Sequence, residues 1–255
     1  MKTLFTGQSI VRLDSVDSTN NYLQKLVQKN PVAEGTVVIA LEQKLGKGQR
    51  GNRWQSEPGK NLTLSALLSP KFLEAQHHFM INKVVSLAVA DTVAEMLNVE
   101  VKIKWPNDIL VNEKKIGGIL IENTVSGNTI QHAVIGIGLN VNQTHFADLP
   151  NATSFLNSLS QNNKRGIKEF SLNEVMEALC STLEKRYLQL RNQKQETINA
   201  DYLSSIYLLN KEVDFMFNSE KITASITGVS ALGKLQLKKT TGEKLEADFK
   251  EVAFP

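Results

Sequence analysis

The sequence predicts an α+β fold: a mixed, mainly antiparallel sheet with helices on one side of it, followed by a small all-β domain. Three observations carry this expectation. Strand-like runs follow one another through short turns between residues 101 and 142, which suits antiparallel neighbours. Two long stretches, Phe72 to Leu97 and Leu172 to Leu190, read as helices with largely apolar or regularly spaced apolar positions. Beyond Leu209 the apolar period becomes two, with Gly228, Gly233 and Gly242 as punctuation. A boundary near residue 208 follows, dividing the chain into 1–208 and 209–255.

Taken in order, Ile10-Val11-Arg12-Leu13 reads as a short strand. Asp14 to Asn20 is rich in hydroxyls and carboxylates, and Tyr22, Leu23, Leu26 and Val27 then recur at helical spacing. Asp17, Ser18 and Thr19 are each good N-caps for that helix. Val37-Val38-Ile39 is a β-branched apolar run, read as a buried strand. Leu62 to Leu68 is a further strand, closed by Pro70. Phe72 to Leu97 reads as a core helix. Val101 to Trp105 alternates as a strand, Pro106 stops it, and Asn107-Asp108 makes a turn. Ile109 to Val111 and Ile116 to Glu122 form a hairpin whose polar tip carries Lys114 and Lys115. Gly117 and Gly118 inside its second arm signal close approach of a ligand or another backbone. His132 to Asn142 is a buried strand with Gly136 and Gly138 near its end. Ala152 to Leu159 is a short helical segment, and Leu172, Val175, Met176, Leu179, Leu183, Tyr187 and Leu190 mark a longer one. Val213 to Phe217, Ile222 to Ile226, Leu235-Leu237 and Leu245 to Phe249 have the strand and turn spacing of a tiny barrel.

Composition narrows the class. The chain has 255 residues, 41% of them hydrophobic, and a net charge of +3, too small for a large nucleic-acid footprint. Its single cysteine, Cys180, excludes an intramolecular disulfide framework, suits a reducing compartment, and sits in a helical apolar pattern as a small core residue. His77, His78, His132 and His145 do not cluster with acidic residues at ligand spacing, so no fixed metal site is expected. No signal peptide or membrane-spanning run is evident, and a cytoplasmic protein with no membrane partner is the expectation.

The chemistry concentrates in residues 36 to 54. After the Val37–Ile39 strand come Gly46, Gly48 and Gly51, interleaved with Lys47, Gln49, Arg50 and Arg53 and closed by Trp54. Glycines let a ligand approach the backbone, and cations beside exposed N–H groups suit a phosphate. Trp54 offers a flat face for a base. Gly46-x-Gly48-x-x-Gly51 matches the dinucleotide-binding fingerprint, but no helical pattern follows it, so the fingerprint fails its context test. A mobile basic loop folding over a phosphate-bearing ligand fits the residues better.

Read together, five segments resemble the biotin protein ligases: Asp17-Ser18-Thr19-Asn20; Gln43 with Gly46 to Trp54; Lys104-Trp105-Pro106-Asn107-Asp108; Lys115-Ile116-Gly117-Gly118-Ile119-Leu120-Ile121-Glu122; and Gly136-Ile137-Gly138-Leu139-Asn140. The resemblance implies a catalytic domain like that of class II aminoacyl-tRNA synthetases, with an SH3-like barrel behind it. It implies an ATP- and magnesium-dependent enzyme that makes biotinyl-5'-AMP and passes biotin to one lysine of a biotin carboxyl carrier domain. By the same resemblance Lys115, Lys47 and Asp108 are the catalytic candidates. Ser18, Thr19, Asn20, Gln43, Gly46, Lys47, Gly48, Gln49, Lys115, Gly118 and Gly138 would surround biotin. Lys47, Arg50, Arg53, Trp54, Asn107, Lys115 and Asn140 would hold the nucleotide, with Trp54 stacked on adenine, Asn140 at its edge and Asn107 near the phosphates. Asp108 would orient Lys115 or assist deprotonation of the incoming amine. Many members carry arginine where this chain has Lys47 and Gln49, which leaves open the cation that grips the adenylate phosphate.

Lipoate ligases share the adenylate logic but usually carry an arginine-rich segment leading into consecutive glycines and a histidine, not found here. A biotin-responsive repressor would need a helix-turn-helix ahead of a strand that already begins near Ile10, so no DNA partner is expected. Homodimerisation is left open.

Overall fold

The computed structural model describes residues 2–147, 149–160 and 168–255, without the Arg50 and Ser160 side chains. In chain order the main body runs β1 (Ile10–Val16), α1 (Thr19–Lys29), β2 (Val37–Gln43), β3 (Leu62–Leu68), α2 (Phe79–Leu97), β4 (Val101–Lys104) and β5 (Asp108–Val111). It continues with β6 (Lys114–Ser126), β7 (Thr129–Leu139), α3 (Phe155–Ser160), α4 (Leu172–Arg191) and α5 (Gln195–Ser205). The strands form one seven-stranded sheet in the order β1-β2-β3-β7-β6-β5-β4. β1 and β2 pair in parallel and the remaining neighbours are antiparallel, so the sheet is mixed and mainly antiparallel as expected.

Alternation along β2, β3 and β7 sets the two faces. Val37 and Ile39, Leu62 to Leu68 at even positions, and Ala133 to Leu139 at odd positions point into the large core beneath α2 and α4. Val38, Leu67 and Val134 point the other way and pack on Leu23 of α1. The expectation of helices on one side is therefore corrected: α1 covers the opposite face. The cause is visible in β2, whose run Val37-Val38-Ile39 is apolar at both parities and needs cover on both sides. Where α1 begins over the sheet, the same face turns polar and glycine-rich, and there the cleft opens.

α2 is apolar almost all round and is buried by α4, α5 and the sheet. Arg186 of α4 ties the three helices together, its Nε 2.7 Å from Asp91 of α2 and its Nη1 on Asp201 of α5. The α2 boundary is also corrected. Leu73 is buried and its carbonyl accepts from Ile130 N, while Glu74 bridges Thr129, so this stretch is held extended against β7 and the helix starts only at Phe79. Cys180 lies in the core, and burial, with Glu177 and Glu184 nearby, pushes its thiol up to about 12, which makes it a packing residue.

The second sheet comprises β8 (Glu212–Phe217), β9 (Glu220–Val229), β10 (Leu235–Lys239), β11 (Lys244–Ala247) and β12 (Val252–Ala253), in the order β11-β10-β9-β8-β12. The expected C-terminal all-β unit is present as an antiparallel sheet, and no β11–β12 pair closes it into a barrel among the described residues. Its inner residues, Phe215, Ala224, Ile226, Leu235 and Leu237, join the core of the main body instead of a core of their own. Trp105 Nε1 donates to Gly233 O at 2.9 Å, and the Trp105 ring lies against Phe249.

Candidate functional site

The site is built around an irregularity in the β5–β6 hairpin. Asp108 pairs with Gly118 and Ile109 with Gly117, but Leu110 pairs with Lys115, so Ile116 is one residue too many. Such a bulge reverses the alternation that follows it. Ile116, which would otherwise face the cleft, is fully buried in the core. Lys115 is turned onto the cleft face, where its Nζ lies 2.6 Å from Asp108 Oδ1 and its chain runs over Gly118. The Lys115 backbone is also held from the far side. Its N–H donates to Asn151 O and its carbonyl accepts from Thr153 N.

Glycines make the floor. Gly118, Gly138 and Gly136 follow one another across β6 and β7 on the cleft face. A Cβ at Gly138 would enter the Trp54 ring, and one at Gly136 would strike Asn20 Oδ1, so both must be glycine for these neighbours to lie where they do. The N-terminus of α1 forms one wall. Ser18 occupies the N-cap position but its side chain caps nothing, so capping does not account for it. Gln43 Oε1 accepts from Thr19 N at 2.8 Å and Thr19 Oγ1 at 3.1 Å, and Ser65 Oγ bridges to Thr19 and Asn20. Asn20 Nδ2 donates to Glu122. Thr19 and Asn20 are thereby rigidly oriented.

The glycine loop folds on itself. Trp54 N donates to Gly46 O, Gly48 N donates to Asn52 O, and a short 3-10 turn, Gln49–Gly51, closes the tip with Gly51 at φ +89. This returns Trp54 to the floor, where the ring covers Gly118 and Gly138 and lies 6.0 Å from Lys115 Nζ. The indole Nε1 is buried with no hydrogen-bond partner among the described residues.

Trp54 and Lys115 both line two adjoining clefts. One, of about 710 Å³, is walled by Ser18, Thr19, Asn20, Gln43 and the loop, including Lys47, Gly48, Gln49 and Arg53. Asn107 also lines it, though its Nδ2 is committed to Ile119 O. The other, of about 740 Å³, is walled by Arg53, Asn140 and residues 149–152. Asn140 donates to Thr153 O, which leaves one of its N–H groups uncommitted. Gly46 lies behind the loop and not on the first cleft, and the Arg50 side chain lies outside the described residues. Several lining residues were missed from sequence: Phe146, Leu149, Pro150 and Ala152 in the second cleft, and Phe249 from the second sheet in the first. No spacing links them to the glycine floor, and only the exposed apolar Leu149 gives a local hint.

The model of the biotin/lipoate A/B protein ligase family matches residues 13–140, about half of the chain and all of the floor. The chain belongs to this family. Among relatives, it is 32% identical over 188 residues to the bifunctional ligase/repressor BirA of Bacillus spizizenii, covering 73% of this chain and 56% of that protein. It is 31% identical to the biotin–[acetyl-CoA-carboxylase] ligase of Mycobacterium tuberculosis, covering 72% of this chain and 66% of that one. The chain spans about half the length of the curated relatives it matches first. Among solved structures, the biotin protein ligase of Aquifex aeolicus in complex with biotin and ATP superposes with a TM-score of 0.77 at 26% identity, covering 96% and 98% of the two chains.

In this biotin/lipoate ligase family member, no group of three or more His, Cys, Asp or Glu side chains converges among the described residues. The carboxylate on the first cleft, Asp108, is engaged by Lys115. The residues present do not make a cage for a divalent cation. Among the described residues, no helix is long and apolar enough to cross a membrane.

Proposed function

We propose that the chain joins biotin to ATP as biotinyl-5'-AMP, with release of pyrophosphate, and then passes the biotinyl group to a lysine amine of a biotin carboxyl carrier domain. The observation that carries this reading is the Lys115 side chain, which lines both clefts at their junction and is aimed by Asp108. In the first step a biotin carboxylate oxygen attacks the α-phosphorus and the bond to pyrophosphate breaks. Two anions must meet, and an ammonium held between them offsets the repulsion where charge develops. In the second step the carrier amine attacks the acyl carbon and AMP leaves.

The first cleft suits biotin by its chemistry. Ser18, Thr19 and Gln43 offer hydrogen-bonding groups to a ureido ring, Lys47, Gly48 and Gln49 lie across from them, and Gly118 and Gly138 admit the acyl chain. The second cleft suits the adenosine half, with Trp54 as stacking face, Asn140 for a base edge and Arg53 for the phosphates, while Lys47 reaches them from the first cleft. Asn107 braces the floor beside them. Asp108 is read as the group that orients Lys115, because its carboxylate is already spent on that ammonium. Magnesium would arrive on the ATP phosphates. The complex of the Aquifex protein with biotin and ATP supports the choice of ligands for this chain.

Two measurements test the reading. Biotin should raise the melting temperature saturably and lipoate should not, because a ligand bound only by the folded state stabilises it by mass action. An equal or larger rise with lipoate would reassign the chain within its family. The loop is tested by the escape of preformed biotinyl-adenylate without an acceptor. Gln49→Arg adds a forked cation at the tip and should slow escape, whereas Lys47→Ala removes a cation and should speed it. Equal rates in both variants would remove the loop cations from the phosphate grip.

A further inference from the structure

A second cleft system lies away from this site, between α2, α5 and the β9–β10 arm of the second sheet. It measures about 960 Å³ and is lined by Lys83, Tyr202, Asn199, Gln195 and Gln236, with Met80 and Val229 as apolar walls. Lys83 is 6% exposed, and among the described residues its ammonium contacts neutral groups. Nζ donates to Asn199 Oδ1 at 2.8 Å and lies 5.8 and 5.7 Å from the Phe79 and Tyr202 ring centroids. Burial of that ammonium pushes its pKa down. Tyr202 is 1% exposed, and its buried hydroxyl has no hydrogen-bond partner among the described residues.

Buried cations in folded proteins are ordinarily paired, because leaving water is costly and only an opposite charge offsets that well. Elsewhere in this chain the partly buried Arg186 has two carboxylates. Lys83 has an amide, two aromatic faces and an open cleft. We propose that this cleft is a binding site for a small oxyanion, a phosphate or a carboxylate headgroup, whose negative charge pairs with Lys83 and whose oxygens accept from its ammonium. A compact ammonium suits either headgroup, since it acts as a point charge and does not demand a forked partner. The bound anion would bridge the helices of the main body to the second sheet.

The test uses the full chain carrying Lys115→Ala, so that the lysine of the first site does not contribute. Inorganic phosphate and butyrate are each titrated against sodium chloride at equal ionic strength while thermal unfolding is followed. The expected result is a saturable rise of about 2–4 °C with at least one anion at about fivefold over its Kd. Adding Lys83→Met should abolish the rise. That variant keeps the volume of the side chain and removes a buried unpaired charge, so it should fold. A response to phosphate alone assigns a phosphoryl ligand, and one to butyrate alone a carboxylate. No rise over chloride with either anion, or a rise that survives Lys83→Met, overturns the proposal.

Discussion

Lys115→Ala is expected to slow pyrophosphate release with biotin and ATP by about 100-fold or more, the usual consequence of removing one preorganised electrostatic contact. The fold should barely notice. The Lys115–Asp108 pair is partly exposed on both sides, at 39% and 26% of the side-chain surface, so its loss costs little stability. The Lys115 backbone remains pinned by Asn151 and Thr153, and the bulge persists because Ile116 stays in the core. ATP binding, read separately by titration, should weaken far less than the rate falls, because the ammonium is asked to act where charge builds up and the rest of the nucleotide cleft is untouched. Near-normal pyrophosphate release in Lys115→Ala would remove this residue from the chemistry and leave Arg53 as the cation shared by the two clefts.

Gly233→Ala should cause the largest loss of stability. Gly233 sits at φ +87, a conformation costing an L residue roughly 1–2 kcal/mol, and an added Cβ would enter the Phe79 ring. Phe79 is 7% exposed at the start of α2 and has little room to move, so overpacking adds about 1–3 kcal/mol. The total, on the order of 2–5 kcal/mol, corresponds to a fall in Tm of about 5–15 °C for a domain of this size. The Gly233 carbonyl is also the acceptor for Trp105 Nε1, so strain there loosens the contact between the second sheet and the strand leading to Asp108. Circular dichroism melts measure the effect directly. An unchanged Tm would mean that the second sheet is not held by this corner.

The parts of the fold that rest on local pattern were legible in advance. Leu62–Leu68 was read to its residue limits, and the helices around Tyr22 and Leu179 were located by spacing alone. What local pattern does not carry is the partner of a surface. α1 looked like one more helix on a common side, because nothing in Leu23 or Leu26 says which face of a sheet they cover. The stretch before Phe79 looked helical because Leu73 is apolar, whereas its backbone is recruited by Thr129 and Ile130 more than fifty residues away. The last strands had the spacing of a barrel, but their inner face found α2 and Trp105 before it found itself. For the site, the glycines and Lys115 announced themselves by being costly or odd in strands. Phe249 and residues 149–152 are ordinary loop residues in sequence and reach the clefts only through tertiary folding.

The extra residue at Ile116 has a consequence for how this chain can vary. Side-chain identity in the hairpin is loosely constrained, since Lys114 and Glu113 point to solvent. Its length is not. Losing one tip residue between Val111 and Lys115 would restore regular alternation, send a lysine toward the interior and bring the isoleucine out, at a stroke exchanging the chemistry of the cleft for that of the core. Descendants of this sequence can therefore drift in composition here, whereas insertions or deletions in odd steps should be purged and any tolerated length change should come in pairs.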